Sequence, residues 1–304
     1  MILPTLTLPS FAKVNLSLRV LGRRADGYHE LRTVFQSISL SDTLTFSPLD
    51  GDQCELACDA PGVPTDDTNL VARAARLLRE RFGVRRGARV ELTKCIPAGG
   101  GLGGGSSNAA VTLLALARLW EIKATPGELA ELGARLGADV PFFLAGGTAL
   151  GEGRGDRITP LDDAPERHLV VVSPGVRIST AEAYKSLNSP ALTSAEAPAN
   201  LLVSRAAADF ARPHCEGLTN DFEPSIYAGH PEIGRARDAL LAAGASCALL
   251  SGSGSSVFGV FESAEDAALA RSAIRAEPGW QLFVCKTLAR AEYVAALGDC
   301  APRL

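Results

Sequence analysis

Apolar residues at positions 12, 14, 16, 18 and 20 alternate with polar ones through Phe11–Val20. A period of two predicts a strand with one buried face. Gly22-Arg23-Arg24-Ala25-Asp26-Gly27 predicts a turn, and a second extended stretch runs from about Arg32 to Phe46. Residues 48–66 carry Pro, Gly and Asp and predict a loop around a short strand. The period then changes. Leu70, Val71, Ala74, Leu77, Leu78 and Phe82 form one stripe of a helix over Asn69–Phe82, and Gly83 ends it. Arg89–Lys94 alternates as a strand, and Ser107–Trp120 predicts a buried helix. Thr125-Pro126-Gly127-Glu128 is a capping box with Pro at the first helical position, opening a helix that ends near Gly137.

Pro160 and Pro165 bracket acidic residues, and this shift places a domain boundary near residues 160–167. Beyond it the pattern predicts strands at 168–173, 247–250, 256–261 and 281–287. Helices are predicted at 180–187, at 199–211, at 232–243 and after the cap Ser263-Ala264-Glu265-Asp266. That order suits a split α+β sandwich of ferredoxin-like type. The expected domains are residues 1–163 and 164–304.

Composition narrows the function classes. A chain of 304 residues exceeds one comfortable core. Net charge is −4 with no basic stripe, so no nucleic-acid partner is expected. No apolar run approaches the roughly 20 residues of a membrane span. Met1-Ile2-Leu3-Pro4-Thr5 lacks the basic region of a signal peptide, so a cytoplasmic location is expected. The seven cysteines include Cys54 and Cys58, but nothing completes a zinc set, and free thiols are the expectation. His29, His168, His214 and His230 are scattered. Of 30 basic residues only five are lysines (Lys13, Lys94, Lys123, Lys185 and Lys286). Where Arg is the default, a Lys is more often wanted for its compact ammonium group.

Pro97-Ala98-Gly99-Gly100-Gly101-Leu102-Gly103-Gly104-Gly105-Ser106-Ser107-Asn108 is the most informative segment. Its glycines remove Cβ atoms that would block a close approach, so successive N–H groups can face one anion. The helix that follows adds orphan donors and a partial positive charge at its N-terminus. Ser106 and Ser107 supply hydroxyls for phosphate or a metal ion. A dinucleotide fingerprint fits poorly: it wants an acid about 20 residues on, where Lys123 and Thr125 stand, with Glu121 the nearest acid. A P-loop would need Lys after the glycines, and none follows.

These residues resemble a known family. Pro97–Ser107 is similar to the phosphate loop of the galactokinase–homoserine kinase–mevalonate kinase–phosphomevalonate kinase (GHMP) superfamily. Ala12-Lys13-Val14-Asn15-Leu16 with Gly27-Tyr28-His29-Glu30-Leu31, and Gly137-Ala138-Asp139-Val140-Pro141-Phe142-Phe143, resemble the signatures of the 4-diphosphocytidyl-2-C-methyl-D-erythritol kinase family. Ser251-Gly252-Ser253-Gly254-Ser255-Ser256-Val257-Phe258-Gly259 resembles the superfamily's third motif. Ala98 stands where Met is usual, and Ser17 and Phe222 replace commoner apolar residues.

The resemblance implies an α+β, two-domain GHMP kinase fold, with a ribosomal-protein-S5-like N-terminal half and a ferredoxin-like C-terminal half. It implies ATP-dependent phosphorylation of the 2-hydroxyl of a cytidyl polyol in the non-mevalonate route to isoprenoid precursors. Mg²⁺ is expected, and the chain is expected to be a monomer or a homodimer. By position, Lys13 and Asp139 are the implied catalytic pair. Asn15, Tyr28, His29 and Tyr184 are implied for the cytidyl substrate, and Asn69 and Lys94 for the adenine side. ATP contacts are implied for Pro97, Gly99, Gly100, Gly101, Leu102, Gly103, Gly104, Gly105, Ser106 and Ser107.

The chemistry suits those residue types. A carboxylate within reach of an alcohol can take its proton as the bond to phosphorus forms. An ammonium beside it holds the carboxylate ionised and offsets charge on the transferred group. A helix-terminating Asp and an edge-strand Lys have the same local context. Tyr28 and His29 suit a pyrimidine, or turn packing. Ser251–Ser256 suits either a second phosphate turn or a plain hairpin. A homoserine or mevalonate kinase, and a catalytically silent sensor on the same fold, are the rival functions. The Tyr28-His29 block opposes the first, and the presence of both Lys13 and Asp139 opposes the second.

Overall fold

The computed structural model describes residues 5–187 and 217–301. The helix expected at 199–211 lies outside them. The first alternating run becomes β1 (Leu6–Arg23), which pairs antiparallel along its length with β2 (His29–Leu49). The C-terminal part of β2 pairs with β4 (Gly87–Thr93), and its N-terminal part pairs with β5 (Thr148–Gly153). Strand β3 (Cys54–Cys58) lies parallel to β4, and β6 (Arg157–Pro160) closes the other end. The sheet order is β3-β4-β2-β5-β6, with β1 on β2.

Helices α1 (Leu70–Phe82), α2 (Gly104–Leu119) and α4 (Val140–Ala145) pack on this sheet, and α3 (Pro126–Leu136) packs against those helices. The predicted stops are real. Asn69 caps α1 by accepting from the Val71 N–H, and Gly83 leaves it in the left-handed region at φ 64°. Thr125 and Glu128 form both halves of the capping box of α3. Helix α2 is apolar all round and buried nearly all round, as a helix inside a core should be. The sequence pattern does not reveal β5, β6 or α4. Pro141 keeps Asp139 out of a continuation of α3 but sits comfortably in the first turn of the new helix α4.

The second half begins with β7 (His168–Ser173). After α5 (Thr180–Ser186) and the next described helices, α6 (Glu223–Gly229) and α7 (Pro231–Ala242), come β8 (Cys247–Leu250) and β9 (Val257–Phe261). Helix α8 (Ala264–Ala273) and β10 (Gln281–Lys286) complete it. The sheet order β10-β7-β9-β8, antiparallel throughout, is the ferredoxin-like order expected. Cys247 is disulfide-bonded, which corrects the expectation of free thiols throughout; Cys54, Cys58, Cys95, Cys285 and Cys300 are free.

The halves share an apolar core. Val14, Leu16 and Ile38 from the first sheet pack with Leu169, Val171, Leu249 and Phe258 from the second. The chain then crosses back: Leu288 N–H donates to the Ser37 carbonyl, and α9 (Arg290–Leu297) buries Tyr293 and Leu297 in the first core.

Candidate active site

On β1 the apolar residues 12, 14 and 16 face the shared core, so Lys13 and Asn15 face the other way. Lys13 is driven there by its strand, and its side chain is only 3% exposed. Its Nζ lies 3.6 Å from Asp139 Oδ2, an ion pair longer than a hydrogen bond, and donates to Asn15 Oδ1 at 2.6 Å. The ring of Phe35 sits 5.5 Å away. Burial holds the Lys13 ammonium below the ordinary lysine range, and the charge of Asp139 opposes that shift. Asp139 precedes α4 and spends no oxygen on capping it, and its carboxylate is 33% exposed. It is anchored yet open to a ligand.

The glycine loop joins β4 to α2. Gly99, Gly101 and Gly103 have φ of 76°, 76° and 72°, a region that disfavours side chains. The reason for several glycines differs from ligand access alone. A Cβ on Gly101 would lie 2.1 Å from the Ser251 carbonyl oxygen, and one on Gly100 would lie 2.5 Å from Ser256 Oγ. One on Gly103 would strike Phe143 at 2.6 Å. The loop is packed against the β8–β9 turn, which donates from Ser256 N–H to Gly100 O and from Ser251 Oγ to Gly101 O. That turn also approaches Lys13. A Cβ on Gly252 would lie 3.1 Å from Lys13 Nζ. Ser251–Ser256 is therefore a hairpin turn that also forms a wall of the site. Gly105, at the head of α2, is open: a Cβ there would meet nothing closer than Leu70 at 3.7 Å.

The two serines separate. Ser107 is fully buried and bonded to Ser10 Oγ at 2.7 Å, whereas Ser106 is part-exposed. Leu102 is core, and its carbonyl accepts from Lys13 N–H at 3.0 Å. Lys94 is pinned at the base of the loop by Asp42, a carboxylate with no exposed surface. Asp42 also accepts from the N–H groups of Cys95 and Ile96 and from Asn108 Nδ2. Pro97 follows these anchored residues at the mouth of the loop. Asn69 is occupied as the cap of α1, with its Nδ2 donating to the Pro64 carbonyl. The sequence reading missed Asp42. Its signal is that position 42 shares the buried register of Leu40, Leu44 and Phe46.

Near Asp139, whose charge reaches Tyr184, the rings of His29 and Tyr184 stack at 4.7 Å and 18°. Phe222 meets Tyr184 edge-on at 5.0 Å. Burial and the nearby Asp139 charge push the Tyr184 hydroxyl above the ordinary tyrosine range. His29 is held below its ordinary value by burial and then by Arg23, which favours neutral imidazole near pH 7. Tyr28 stands 56% exposed at the turn, with Arg154 5.0 Å over its ring. Asn15 lies apart from these rings, bonded to Lys13 and Thr33.

Comparison with known proteins agrees with this geometry. The model described as GHMP kinases N terminal domain matches residues 69–147, and that described as GHMP kinases C terminal matches residues 201–279. A solved 4-(cytidine 5'-diphospho)-2C-methyl-D-erythritol kinase is 37% identical with a TM-score of 0.76, covering 92% of this chain and 99% of that one. The 4-diphosphocytidyl-2-C-methyl-D-erythritol kinase of Pelotomaculum thermopropionicum is 44% identical over 84% of this chain and 89% of its own. The enzyme of the same name in Citrifermentans bemidjiense is 41% identical over 91% and 97%. Two α+β halves around a glycine loop define a GHMP kinase, an ATP-dependent small-molecule kinase. Within that class the chain belongs to the 4-diphosphocytidyl-2-C-methyl-D-erythritol kinase family.

Proposed function

We propose that this kinase transfers the γ-phosphoryl group of ATP to the 2-hydroxyl of 4-diphosphocytidyl-2-C-methyl-D-erythritol, with Asp139 as general base. The observation that carries this reading is the Lys13–Asp139 pair, 3.6 Å apart, with the glycine loop against Lys13 at Gly103 and the charge of Asp139 acting on Tyr184 of the aromatic stack. Asp139 takes the hydroxyl proton as the oxygen–phosphorus bond forms. The bond from the γ-phosphorus to the bridging oxygen breaks, and ADP leaves with those electrons. Lys13 offsets charge on the phosphoryl oxygens.

The nucleotide phosphates are assigned to the loop N–H groups and the head of α2. Lys94 and Asn69 border the adenine side, and His29, Tyr184 and Tyr28 receive the cytosine. Mg²⁺ usually takes few protein ligands beside phosphate oxygens. Ser106 is the hydroxyl available to it, because Ser107 is committed to Ser10. When bound, the metal neutralises phosphate charge.

Residues 1–163 and 164–304 are proposed as the two domains. Among the described residues no helix is long and apolar enough to cross a membrane. A cytoplasmic monomer or homodimer that does not bind nucleic acid remains our reading.

ATP consumption measured with the cytidyl polyol, homoserine and mevalonate tests the substrate; turnover of either of the latter two alone would overturn it. Asp139→Asn keeps the shape and loses the base, so kcat should fall roughly 10²–10⁴-fold with ATP affinity retained.

A further inference from the structure

Lys13 reaches Asp139 only if its long side chain is held, and the holding chain can be followed atom by atom. Lys13 Nζ donates to Asn15 Oδ1 at 2.6 Å, Asn15 Nδ2 donates to Thr33 Oγ1 at 2.6 Å, and Thr33 Oγ1 donates to the Ser17 carbonyl at 2.7 Å. Lys13, Asn15 and Thr33 are each buried to the same degree, with 2% exposed. We infer that Thr33 is a positioning residue for phosphoryl transfer, acting on Lys13 through the Asn15 amide. The inference rests on the reading of Lys13 and Asp139 as the catalytic pair.

A hydroxyl carries a single hydrogen. Thr33 gives it to Ser17 O, so only a lone pair faces Asn15. Asn15 must then turn its NH₂ to Thr33 and its oxygen to the ammonium. The fold makes this possible at two points. The register of β1 on β2 slips between Asn15, opposite Phe35, and Ser17, opposite Val34. Leu16 is the extra residue of a bulge, a device that re-aims groups beside active sites. Gly151 on β5 leaves space for Thr33, since a Cβ there would lie 3.1 Å from Thr33 Cγ2. A β-branched side chain so confined keeps one rotamer.

Without the hydroxyl the Asn15 NH₂ is left buried with no acceptor. The amide is then held only at its ammonium end, and the anchor that places Lys13 beside Asp139 loosens. The glycine loop makes no use of Thr33, so nucleotide binding should not change.

The test is steady-state kinetics of Thr33→Val, with Thr33→Ser as the variant that restores the hydroxyl. Thr33→Val should lower kcat roughly ten- to a hundredfold, part of what positioned proton transfer supplies, with KM for ATP unchanged. Thr33→Ser should recover most of the loss. If Thr33→Val does not fold, Thr33→Ala against Thr33→Ser isolates the same oxygen. Lys13→Met runs alongside. Native kcat in Thr33→Val with an inactive Lys13→Met overturns the inference alone, as does a loss confined to KM for ATP. Native turnover in Lys13→Met overturns the reading of the catalytic pair itself.

Discussion

An ammonium whose side chain is 3% exposed has lost most of its hydration, and the single carboxylate 3.6 Å away returns only part of it. The consequence for Lys13 has a definite sign. Its folded pKa lies below the 10.5 of an unfolded lysine. Below the folded value both states are charged, and the cost of the buried charge is borne in full. Between the two values the unfolded chain binds more protons, so rising pH relieves that cost while removing the charge that the proposed mechanism uses. The groups facing Lys13 are the Asp139 carboxylate from the start of α4, the Asn15 amide from β1, the Phe35 ring from β2 and the Gly252 backbone from the β8–β9 turn. Of these only Asp139 carries a charge, and it opposes the shift. The alkaline limb of the kcat/KM profile, which reports the free enzyme, should therefore fall below pH 10.5. A limb at or above that value would remove Lys13 as the group responsible. The alternation through Phe11–Val20 makes legible in the sequence that Lys13 lies on the face opposite the apolar residues. Its depth beside Asp139 is not, because Asp139 arrives from a segment more than a hundred residues away whose helix α4 has too few residues for a period to show.

At the scale of the element, the glycine loop is read correctly from sequence as a turn leading into a helix, but its glycines are there for two reasons. Gly100, Gly101 and Gly103 admit the β8–β9 turn and Phe143. Gly105 admits only what lies outside the protein. A single-residue contrast separates the two. Gly101→Ala combines φ of 76° with a 2.1 Å overlap on backbone and should prevent folding or lower Tm severely. Gly105→Ala has ordinary helical backbone and free space. It should hold or raise Tm, since replacing a helical Gly by Ala is worth about 0.5–1 kcal/mol. If the phosphates lie over α2, it should weaken ATP by about 1–2 kcal/mol, roughly five- to thirtyfold. Thermal melts and nucleotide titration on the same sample check both halves. Unchanged ATP affinity would move the phosphates off this helix. The partner turn illustrates why such contacts escape sequence reading. Ser251–Ser256 looks like a hairpin and is one, but what it packs against is set 150 residues earlier.

Across the whole molecule, the antiparallel β10-β7-β9-β8 sheet follows from element order alone, because strands and helices alternate at ferredoxin-like spacing. The first sheet is harder to read, since β2 serves β1, β4 and β5 over 21 residues and no local pattern says which part pairs with which. The end of the chain is the least legible. Arg290–Leu297 is too short for a clear helical period, and its value is tertiary. Tyr293 is 1% exposed, packs its ring 5.4 Å from Phe11 and donates its hydroxyl to the Phe143 carbonyl at 2.6 Å. Phe143 in turn backs the glycine loop at Gly103. A residue that follows the whole second half in sequence thus supports the first core beneath the glycine loop. Tyr293→Phe removes one buried hydrogen bond and should cost about 1 kcal/mol. Tyr293→Ala also leaves a large cavity and should cost about 3–5 kcal/mol. Because the Val14–Leu169–Phe258 core is continuous between the halves, that loss should appear as a lower midpoint of one common transition. Circular dichroism and calorimetry of the two variants measure it. Two resolved transitions, with only one displaced by Tyr293→Ala, would show instead that the halves unfold independently and that the shared core does not couple them.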